Sequence, residues 1–598
     1  MRHPLRYVLL VLALLYALSL DHGLPNRYVP DDHAVRCALG MAQDFSEQGL
    51  SGLVPESGRY TIYPYLLPYL DLALVGGVYV GGRATGAWGG TGEFREAVFD
   101  DPTYAWLPAR MLSALLALLV PWGLYRSARE LRRSRGEAAL AALLGGSSLV
   151  LVLYAHTSRP WAAMLGLMCL TQALSLRAMR KGSPRSLGLA SLAAGLSASA
   201  FTLGLAAFAF PFVAWVTLLL RGRRALLWRA LPALGAGLLV AALVGYPYMW
   251  MHGLESGSGV QYSGGQGTAP MEGATPDVEV GGLAFIPQFG VDGLPAKASA
   301  WFGSEPALLL LGLPGLFLLA RRRERRLDAL LLAVAPALCF MLLFLFYELG
   351  LVRYLMPATA LLGLPAAAMS SALARRGGAA RVVALLLLAL PLVQAARLDQ
   401  LLGRQDTRTL AVEQLVAQLP EQARVAVDGM GSLYAPPIPA HPEALLELGA
   451  AMLEAPEVLW LNRREQRVLQ LHDAGVAPPA NARRQIPVSR FWRFDSYYPS
   501  DYLLGASTEL GDFFDAWRVD HYIQVDRLPD EARRAPITEL MAARGELIAE
   551  VSPTGDSAPA VAELPTDMQF ALTQLWAYER PGPWVRLWRL KPAAESQR

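Results

Sequence analysis

The segment Ser186–Leu220, SLGLASLAAGLSASAFTLGLAAFAFPFVAWVTLLL, is the strongest indication of the fold class because its 35 residues include no charged side chain. As a single helix it would be about 52 Å long, whereas the hydrocarbon core of a membrane is about 30 Å thick. Basic clusters flank it at both ends, in Arg177–Arg185 and Arg221–Arg229, and short basic loops favour the cytoplasm. Because both ends therefore belong on the same side, we predict a hairpin of two membrane helices that turns near Ser199–Thr202.

The rest of the first two thirds of the chain repeats this alternation of apolar and basic segments. Short basic loops such as Arg126–Arg135, Arg321–Arg326 and Arg375–Arg381 alternate with loops that contain few Lys or Arg residues. The pattern predicts about 11 membrane-spanning helices, with the N-terminus in the cytoplasm and everything after Ala396 outside. The other predicted spans are Tyr7–Leu20, Met111–Tyr125, Ala138–Ala155, Pro160–Leu176, Ala230–Met251, Pro306–Ala320, Ala329–Tyr347, Tyr354–Ala374 and Val382–Ala396.

Composition supports a polytopic membrane protein with a soluble tail. Of the 598 residues 54% are hydrophobic and 17% are charged, and the mean hydropathy is +0.30. Soluble domains average about 25% charged residues, so a single soluble enzyme is excluded, as are disordered and fibrous chains. The three cysteines are far apart and lack the spacing of a zinc or redox motif. A net charge of +3 is too small to indicate a nucleic-acid partner.

Two N-terminal segments allow alternatives. The first apolar stretch is predicted to be an uncleaved anchor, although Ala17-Leu18-Ser19 also fits a signal-peptide cleavage site. The apolar run Tyr63–Val80 would invert every later loop if it crossed the membrane, so we predict a helix at the outer interface. The membrane domain then covers residues 1–396, with long outer loops at 21–106 and 252–305.

The tail, residues 397–598, has a different character. Charged residues return and apolar runs shorten to the length of strands, which alternate with helical patterns. We predict one extracytoplasmic α/β domain, in which no Walker or Rossmann glycine motif occurs. The predicted strands are Arg424–Asp428, Asp501–Gly505, His521–Val525, Glu546–Val551 and Trp584–Leu590.

Ionisable residues collect at the predicted outer ends of the spans and are nearly absent from the span interiors. A proton-coupled transporter is expected to carry carboxylates near the membrane midplane. An enzyme that acts on a lipid-linked substrate would instead place them where the lipid head group lies. The outer-end residues are Asp31, Asp32, His33, Arg110, His156, Arg159, His252, Glu305, Glu348 and Arg353.

Two kinds of side chain in this set are candidates for chemistry. Asp31 or Asp32 could accept a proton from an acceptor hydroxyl or contribute to a divalent metal site, Mg or Mn. The alternative is that Asp32 caps a helix that begins near Ala34. Arg353 and Arg159 could bind a phosphate leaving group through bidentate hydrogen bonds, and the alternative is that they reach lipid head groups from helix ends.

Short segments in a fixed order resemble the GT-C glycosyltransferases, polytopic enzymes that use polyprenyl-phosphate sugars. Within them the chain is similar to bacterial relatives of the protein O-mannosyltransferases and of the lipid A aminoarabinose transferases. The segments that carry the resemblance are Tyr28–His33 (YVPDDH) followed by Ala38-Leu39-Gly40, Ile62–Leu66 (IYPYL), Ala109–Leu115 (ARMLSAL), Tyr154–Pro160 (YAHTSRP), Arg353–Pro357 (RYLMP) and Asp406-Thr407-Arg408.

The resemblance implies a multi-pass protein of a bacterial inner membrane that transfers a sugar, with inversion, at the extracytoplasmic face. It implies that Asp31, with Asp32 beside it, is the catalytic base. Substrate contacts would come from six residues of the quoted segments, namely Arg353, Arg159, Arg110, His156, Tyr63 and Tyr354. The acceptor is a hydroxyl of an unidentified glycan, lipid or protein.

The sequence departs from the family pattern at two of these positions. Asp32 stands where Glu is common, and Trp161 stands where the family often has Asp after Arg-Pro. Two other functions stay open on the sequence alone. A transporter or flippase of lipid-linked sugars would need polar residues along the spans, and a non-catalytic scaffold would tolerate replacement of Asp31, Arg159 and Arg353.

Overall fold

The computed structural model is mostly helical, and the chain folds into two compact units. The first unit contains Met1–Asp21, Asp31–Gln261 and Pro276–Gln400, and the second contains His22–Pro30 and Leu401–Arg598 among its segments. Sequence predicted a division between residues 396 and 397. The structure describes residues 4–26, 28, 32–54, 64–222, 224–251, 278–280, 283–285, 294–321, 326–346, 352–427, 436–453, 463–478, 482–487, 510–526, 535–554 and 572–591.

Helices build nearly all of the described part of the first unit. They are α1 (Pro4–Ala17), α2 (Asp32–Gln48), α3 (Leu66–Thr85), α4 (Thr91–Asp100), α5 (Thr103–Ala117), α6 (Leu119–Glu130), α7 (Arg135–Gly146), α8 (Leu149–Ala155), α9 (Trp161–Lys181), α10 (Pro184–Ala200), α11 (Ala209–Leu220), α12 (Arg224–Val240), α13 (Tyr248–Met251), α14 (Leu294–Ser304), α15 (Pro306–Ala320), α16 (Arg326–Phe346), α17 (Met356–Ala360), α18 (Gly363–Arg376) and α19 (Gly378–Leu402). A two-stranded ribbon, β1 (Val278–Val280) and β2 (Leu283–Phe285), lies in the same unit.

Several of these helices are long and apolar enough to cross a membrane. Within the described residues, four continuous helical stretches meet that standard, and the number rises to six if each of two bent helix pairs counts as one span. Shorter apolar helices include α1 and α15. The chain is therefore built as a membrane protein, while the predicted total of about 11 spans stays a prediction.

The long uncharged segment that decided the fold breaks where the sequence predicted. Helix α10 ends at Ala200, Phe201 adopts an extended conformation with φ −156° and ψ 142°, and a 3₁₀ helix covers Thr202–Phe208 before α11 begins. The structure thus has a break at the predicted position, while the hairpin of two membrane helices stays a prediction. Two features predicted the break: 35 residues are too many for one membrane-spanning helix, and basic clusters flank both ends of the segment.

Two predicted spans are bent, which the sequence analysis missed. Helices α7 and α8 meet at 66° after Gly146, and the 3₁₀ turn Val352–Leu355 with α17 meets α18 at 49°. The backbones of Gly145, next to the first bend, and Gly363, next to the second, are in close contact. A Cβ added to Gly363 would lie 2.7 Å from the backbone nitrogen of Gly145, so neither position has room for a side chain. Such close backbone approach is how membrane helices pack tightly.

The described part of the second unit contains a mixed five-stranded sheet. Its strands are β3 (Arg424–Val427), β4 (Arg484–Pro487), β5 (His521–Asp526), β6 (Gly545–Val551) and β7 (Trp584–Leu590), in the spatial order β4-β3-β5-β7-β6. Strand β3 is parallel to β4 and β5, whereas β7 is antiparallel to β5 and β6. Helices of this unit are α20 (Thr407–Gln414), α21 (Pro442–Leu453), α22 (Arg463–Asp473), α23 (Leu510–Ala516) and α24 (Ala535–Arg544).

Four of the five predicted strands are confirmed, and Asp501–Gly505 lies outside the described residues. The prediction missed β4. Val425, Ile523 and Leu587 from three strands are buried in one apolar cluster with Ala411 and Leu415 of the α20 segment. The strands and helix α20 therefore share one hydrophobic core.

The Asp406-Thr407-Arg408 segment ties the chain before α2 to this second unit. Asp406 caps α20, and its carboxylate accepts bidentate hydrogen bonds from the Arg408 guanidinium at 2.7 and 2.6 Å. The guanidinium also lies 4.0 Å from the ring centroid of Tyr28. Charge-assisted bidentate pairs are among the strongest hydrogen bonds. The Asp406-Thr407-Arg408 segment, quoted above for the family resemblance, therefore has a structural role.

Candidate functional site

The structure describes five of the eight predicted site residues with their side chains: Arg353, Tyr354, Arg159, Arg110 and His156. Asp32 is the first residue of α2, but its side chain is not described, and Asp31 and Tyr63 lie outside the described residues. The cap hypothesis placed Asp32 before the helix. That detail is wrong, because the helix begins two residues earlier than the apolar pattern indicated.

Arg353 is packed against aromatic rings at the start of α9. Its guanidinium carbon lies 5.9 Å from the Trp161 ring centroid and 5.2 Å from the Tyr354 ring centroid. The two rings meet edge to face with centroids 5.1 Å apart. Contact with an aromatic face stabilises a guanidinium by about 0.5–2 kcal/mol and limits its orientations. Trp161 and Tyr354 therefore restrict where the Arg353 charge points.

Trp161 is held in place by its surroundings. It is completely buried, and its ring centroid lies 4.3 Å from that of Phe201 and 6.2 Å from that of Tyr154. Phe201 is the extended residue that interrupts the α10–α11 segment. Trp161 thus supplies a rigid aromatic platform for Arg353.

Arg159 contributes a second cation next to this platform. It lies two residues before Trp161 in the turn that joins α8 to α9, and it is only 5% exposed. Helix α9 begins at Trp161, so its unsatisfied backbone N–H groups and positive dipole end are at the same place. The Arg353 guanidinium beside Trp161, Arg159 two residues earlier in the chain and the N-terminus of α9 bring positive charge to this end of α9, which favours an anion.

Arg110 and His156 contact the end of α1. The Arg110 Nη1 atom donates to the Leu20 carbonyl at 2.7 Å, and the His156 Nε2 atom lies 2.6 Å from the Leu18 carbonyl. Both side chains are completely buried. These contacts hold the chain immediately after the first predicted span. They differ from the substrate contacts expected of Arg110 and His156 from the sequence.

His156 also neighbours a carboxylate of α19. Its Nε2 atom is 3.4 Å from Asp399 Oδ1, and its Nδ1 atom is 2.7 Å from the Val152 carbonyl. Burial lowers the pKa of His156, and the two carbonyls oppose that effect. The ring therefore joins three parts of the first unit, namely the ends of α1, α8 and α19.

Glu305 stabilises the bend between α7 and α8. Glu305, one of the predicted outer-end residues, immediately precedes α15, but its carboxylate makes no capping bond to that helix. It accepts hydrogen bonds from the Ser148 hydroxyl at 2.5 Å and from the Val150 backbone N–H at 3.1 Å. A carboxylate at a helix N-terminus meets the positive dipole end. Glu305 thus caps α8 from a distant part of the chain.

Glu305 gives a testable pH dependence, because burial raises its pKa from about 4.5 to about 7. The folded state then binds more protons than the unfolded state between these values, so stability falls as the pH rises through this window. The full difference corresponds to about 3 kcal/mol. We expect Glu305→Gln, which keeps an acceptor oxygen without charge, to unfold at a higher temperature than the wild type at pH 8.

Thermal unfolding of both proteins in detergent between pH 5 and 8 measures this effect. The difference between wild type and Glu305→Gln is expected to shrink as the pH falls towards 5. Glu96→Gln, at an exposed position of α4, is the matched control and is expected to follow the wild type. Parallel pH curves for wild type and Glu305→Gln would contradict the role of the buried carboxylate.

Two further buried carboxylates, Asp44 of α2 and Asp71 of α3, lie near Cys37. Asp71 is completely buried and Asp44 is 2% exposed. The pKa of the Cys37 thiol is raised by burial and, to a lesser extent, by these two carboxylates. Cys37 packs with Met41, Tyr65 and Tyr248 in an apolar cluster. The sequence analysis singled out neither carboxylate, although Asp71 lies within the apolar run Tyr63–Val80.

The described side chains do not form a metal centre. No three His, Cys, Asp or Glu residues among them lie close enough together to hold a metal ion. The predicted ligands Asp31 and Asp32 are not among those side chains, so Mg or Mn binding there stays a prediction.

Comparisons with known proteins give distant structural neighbours. No family model and no curated protein matches the chain. ArnT from Cupriavidus metallidurans in the apo state is 15% identical with a TM-score of 0.41, over 78% of this chain and 84% of that one. The Archaeoglobus fulgidus oligosaccharyltransferase in the apo form is 13% identical with a TM-score of 0.41, over 87% and 69%.

A third solved structure is longer than this chain. The arabinofuranosyltransferase AftD from Mycobacteria is 17% identical with a TM-score of 0.40, and the match covers 98% of this chain and 42% of that one. Two of the three neighbours are transferases by name, an oligosaccharyltransferase and an arabinofuranosyltransferase, and all three are similar to this chain only at low identity.

Proposed function

We propose that the chain is a membrane glycosyltransferase that moves a sugar from a polyprenyl-phosphate donor to an acceptor hydroxyl at the extracytoplasmic membrane face. The observation that carries this proposal is the cationic site at the start of α9. There the Arg353 guanidinium lies against Trp161 and Tyr354, and Arg159 precedes Trp161 by two residues.

The site suits a phosphate attached to a lipid. Arginine binds phosphate through bidentate hydrogen bonds, and burial strengthens the electrostatic attraction. The positive-inside rule predicts that Arg159 and Arg353 lie at the outer ends of their spans, where a lipid head group would meet them. We assign the donor phosphate to Arg353 and Arg159. Arg110 donates to the Leu20 carbonyl through Nη1 at 2.7 Å, so we assign it the role of holding the chain that follows α1.

The reaction follows from this assignment. The acceptor oxygen attacks C1 of the sugar, the bond between C1 and the phosphate oxygen breaks, and polyprenyl phosphate leaves with the bonding electrons. The Asp31 carboxylate takes the hydroxyl proton as the new bond forms. Attack opposite to the leaving group inverts the configuration at C1. The arginines stabilise the negative charge that grows on the phosphate, an effect that is often the largest in catalysis.

The rival functions predict different products. We expect the purified protein in liposomes to release polyprenyl phosphate from one member of a panel of labelled polyprenyl-phosphate sugars, when an extract of acceptors is supplied. The measurement is chromatography of the lipid product together with the anomeric configuration of the transferred sugar. A flippase would instead move intact donor between leaflets, and a scaffold would leave it unchanged. Either of those results, or retention at C1, would contradict the proposal.

A further inference from the structure

A groove between α15 and α18 lies away from the proposed active site, at the opposite ends of the helices. Its volume is about 180 Å³, and its lining includes Phe317, Leu318, Arg321, Met369, Leu373 and Arg376. A single bound water needs only about 10–15 Å³ of such space. The groove can therefore accommodate a group much larger than one water.

The groove has two charged residues and an apolar wall. Arg321 immediately follows α15, and Arg376 is the last residue of α18, so each cation comes from a different helix end. The Arg321 guanidinium carbon lies 5.1 Å from the ring centroid of Phe317. Both arginines belong to the basic loops that the positive-inside rule places in the cytoplasm. The groove thus has its cations at the predicted membrane surface and apolar side chains beside them.

An exposed apolar stripe runs along α15 from the groove. Leu310, Leu313 and Phe317 are spaced three and four residues apart and are 48%, 52% and 63% exposed. In a membrane, a stripe of this kind faces lipid chains. A ligand that has an anionic head at Arg321 and Arg376 and a hydrocarbon tail along this stripe would match both parts of the surface.

We propose that this groove binds one anionic phospholipid of the cytoplasmic leaflet, with its phosphate between Arg321 and Arg376 and an acyl chain along the exposed face of α15. Charge complementarity selects the anionic head group, since juxtamembrane basic residues attract anionic lipids. The site is independent of the proposed sugar transfer. Because it joins α15 to α18, whose bend contacts α7 at Gly145 and Gly363, bound lipid would also stabilise this part of the fold.

Native mass spectrometry of the protein in detergent tests the proposal, with phosphatidylglycerol as the probe and phosphatidylcholine as the zwitterionic comparison. We expect tighter binding of phosphatidylglycerol and about thirty-fold weaker binding after Arg321→Gln combined with Arg376→Gln, since each basic residue contributes about 1 kcal/mol and 1.4 kcal/mol is tenfold. Leu373→Trp keeps both charges but fills the groove, and it is expected to weaken binding as well.

The matched control removes two exposed arginines elsewhere on the same predicted side. Arg126 contacts the Trp122 ring much as Arg321 contacts Phe317, and Arg132 is exposed in the next loop. Arg126→Gln with Arg132→Gln is expected to keep binding within twofold of the wild type. Equal losses in both double variants, no effect of Leu373→Trp, or equal binding of the two lipids would overturn the proposal.

Discussion

Asp31→Asn is expected to abolish sugar transfer while the protein still folds and inserts. General-base catalysis contributes about 10²–10⁴-fold to a rate, and an amide cannot accept the acceptor's proton. Turnover should therefore fall by at least 10²-fold. The assay is release of polyprenyl phosphate from the donor identified in the panel, with thermal unfolding of the same preparation measured in parallel.

The choice of asparagine separates catalysis from helix capping. Since α2 begins at Asp32, the residue before the helix is Asp31, and a capping role would fall on this position. Asparagine caps helices about as well as aspartate. If Asp31 only capped α2, Asp31→Asn would keep both stability and activity. Loss of activity with unchanged unfolding temperature is the result that a catalytic base requires.

A second carboxylate in the same predicted outer loop provides the control. Asp101 accepts a hydrogen bond from the Thr103 backbone N–H at 2.9 Å, and an amide oxygen in Asp101→Asn can accept the same bond. This variant is expected to retain wild-type turnover. Full activity in Asp31→Asn would contradict the assignment of the base, and equal losses in both variants would show that the effect is not specific to Asp31.

Charge boundaries in the sequence predicted helix positions well. The apolar run Pro306–Ala320 is bounded by Glu305 and Arg321, and α15 occupies those same residues. The apolar run from Pro160 predicts α9, which begins one residue later. A charged side chain is costly inside a membrane, so it marks the end of a membrane-spanning helix. Such an end can be recognised in the sequence without knowledge of the fold.

The bends could not be predicted in the same way. The Gly145-Gly146-Ser147-Ser148 run is typical of a break in a helix, but it lies within a long apolar segment that indicates one continuous span. The side chain that caps the helix after the bend is Glu305, which is distant in the sequence. The second bend follows Leu361 and depends on contact between Gly363 and Gly145. Tertiary contacts fix both bends, and periodicity within one segment does not contain that information.

The sequence suggested some members of the candidate site but not its geometry. Sequence named Arg353, Tyr354 and Arg159, but treated Trp161 only as a departure from the family pattern. In the structure the Trp161 ring contacts the rings of Tyr354 and Phe201 and lies close to the Arg353 guanidinium. The segment around Trp161 and the segment around Arg353 lie far apart in the sequence, so neither one indicates a contact with the other. The contact was invisible until the helices were assembled.

Arg353→Gln is expected to reduce turnover by about 10²–10³-fold, the loss typical of removing one donor that stabilises transition-state charge. The loss should fall mainly on kcat, because the phosphate carries more negative charge as the bond to C1 breaks. Trp161→Leu is expected to give a smaller loss, since it leaves the cation in place but removes the ring that orients it. Release of polyprenyl phosphate at several donor concentrations separates kcat from KM in both variants.

Two other arginines make this prediction specific. Arg221 donates to the Met179 carbonyl at 2.9 Å at the predicted cytoplasmic end of its span, so Arg221→Gln is expected to keep wild-type kcat. Arg110→Gln removes the bond to the Leu20 carbonyl and is expected to lower the unfolding temperature. If Arg353→Gln lowered stability and left kcat unchanged, Arg353 would be an aromatic-packed anchor like Arg126, and the donor phosphate would have to be assigned to Arg159 alone.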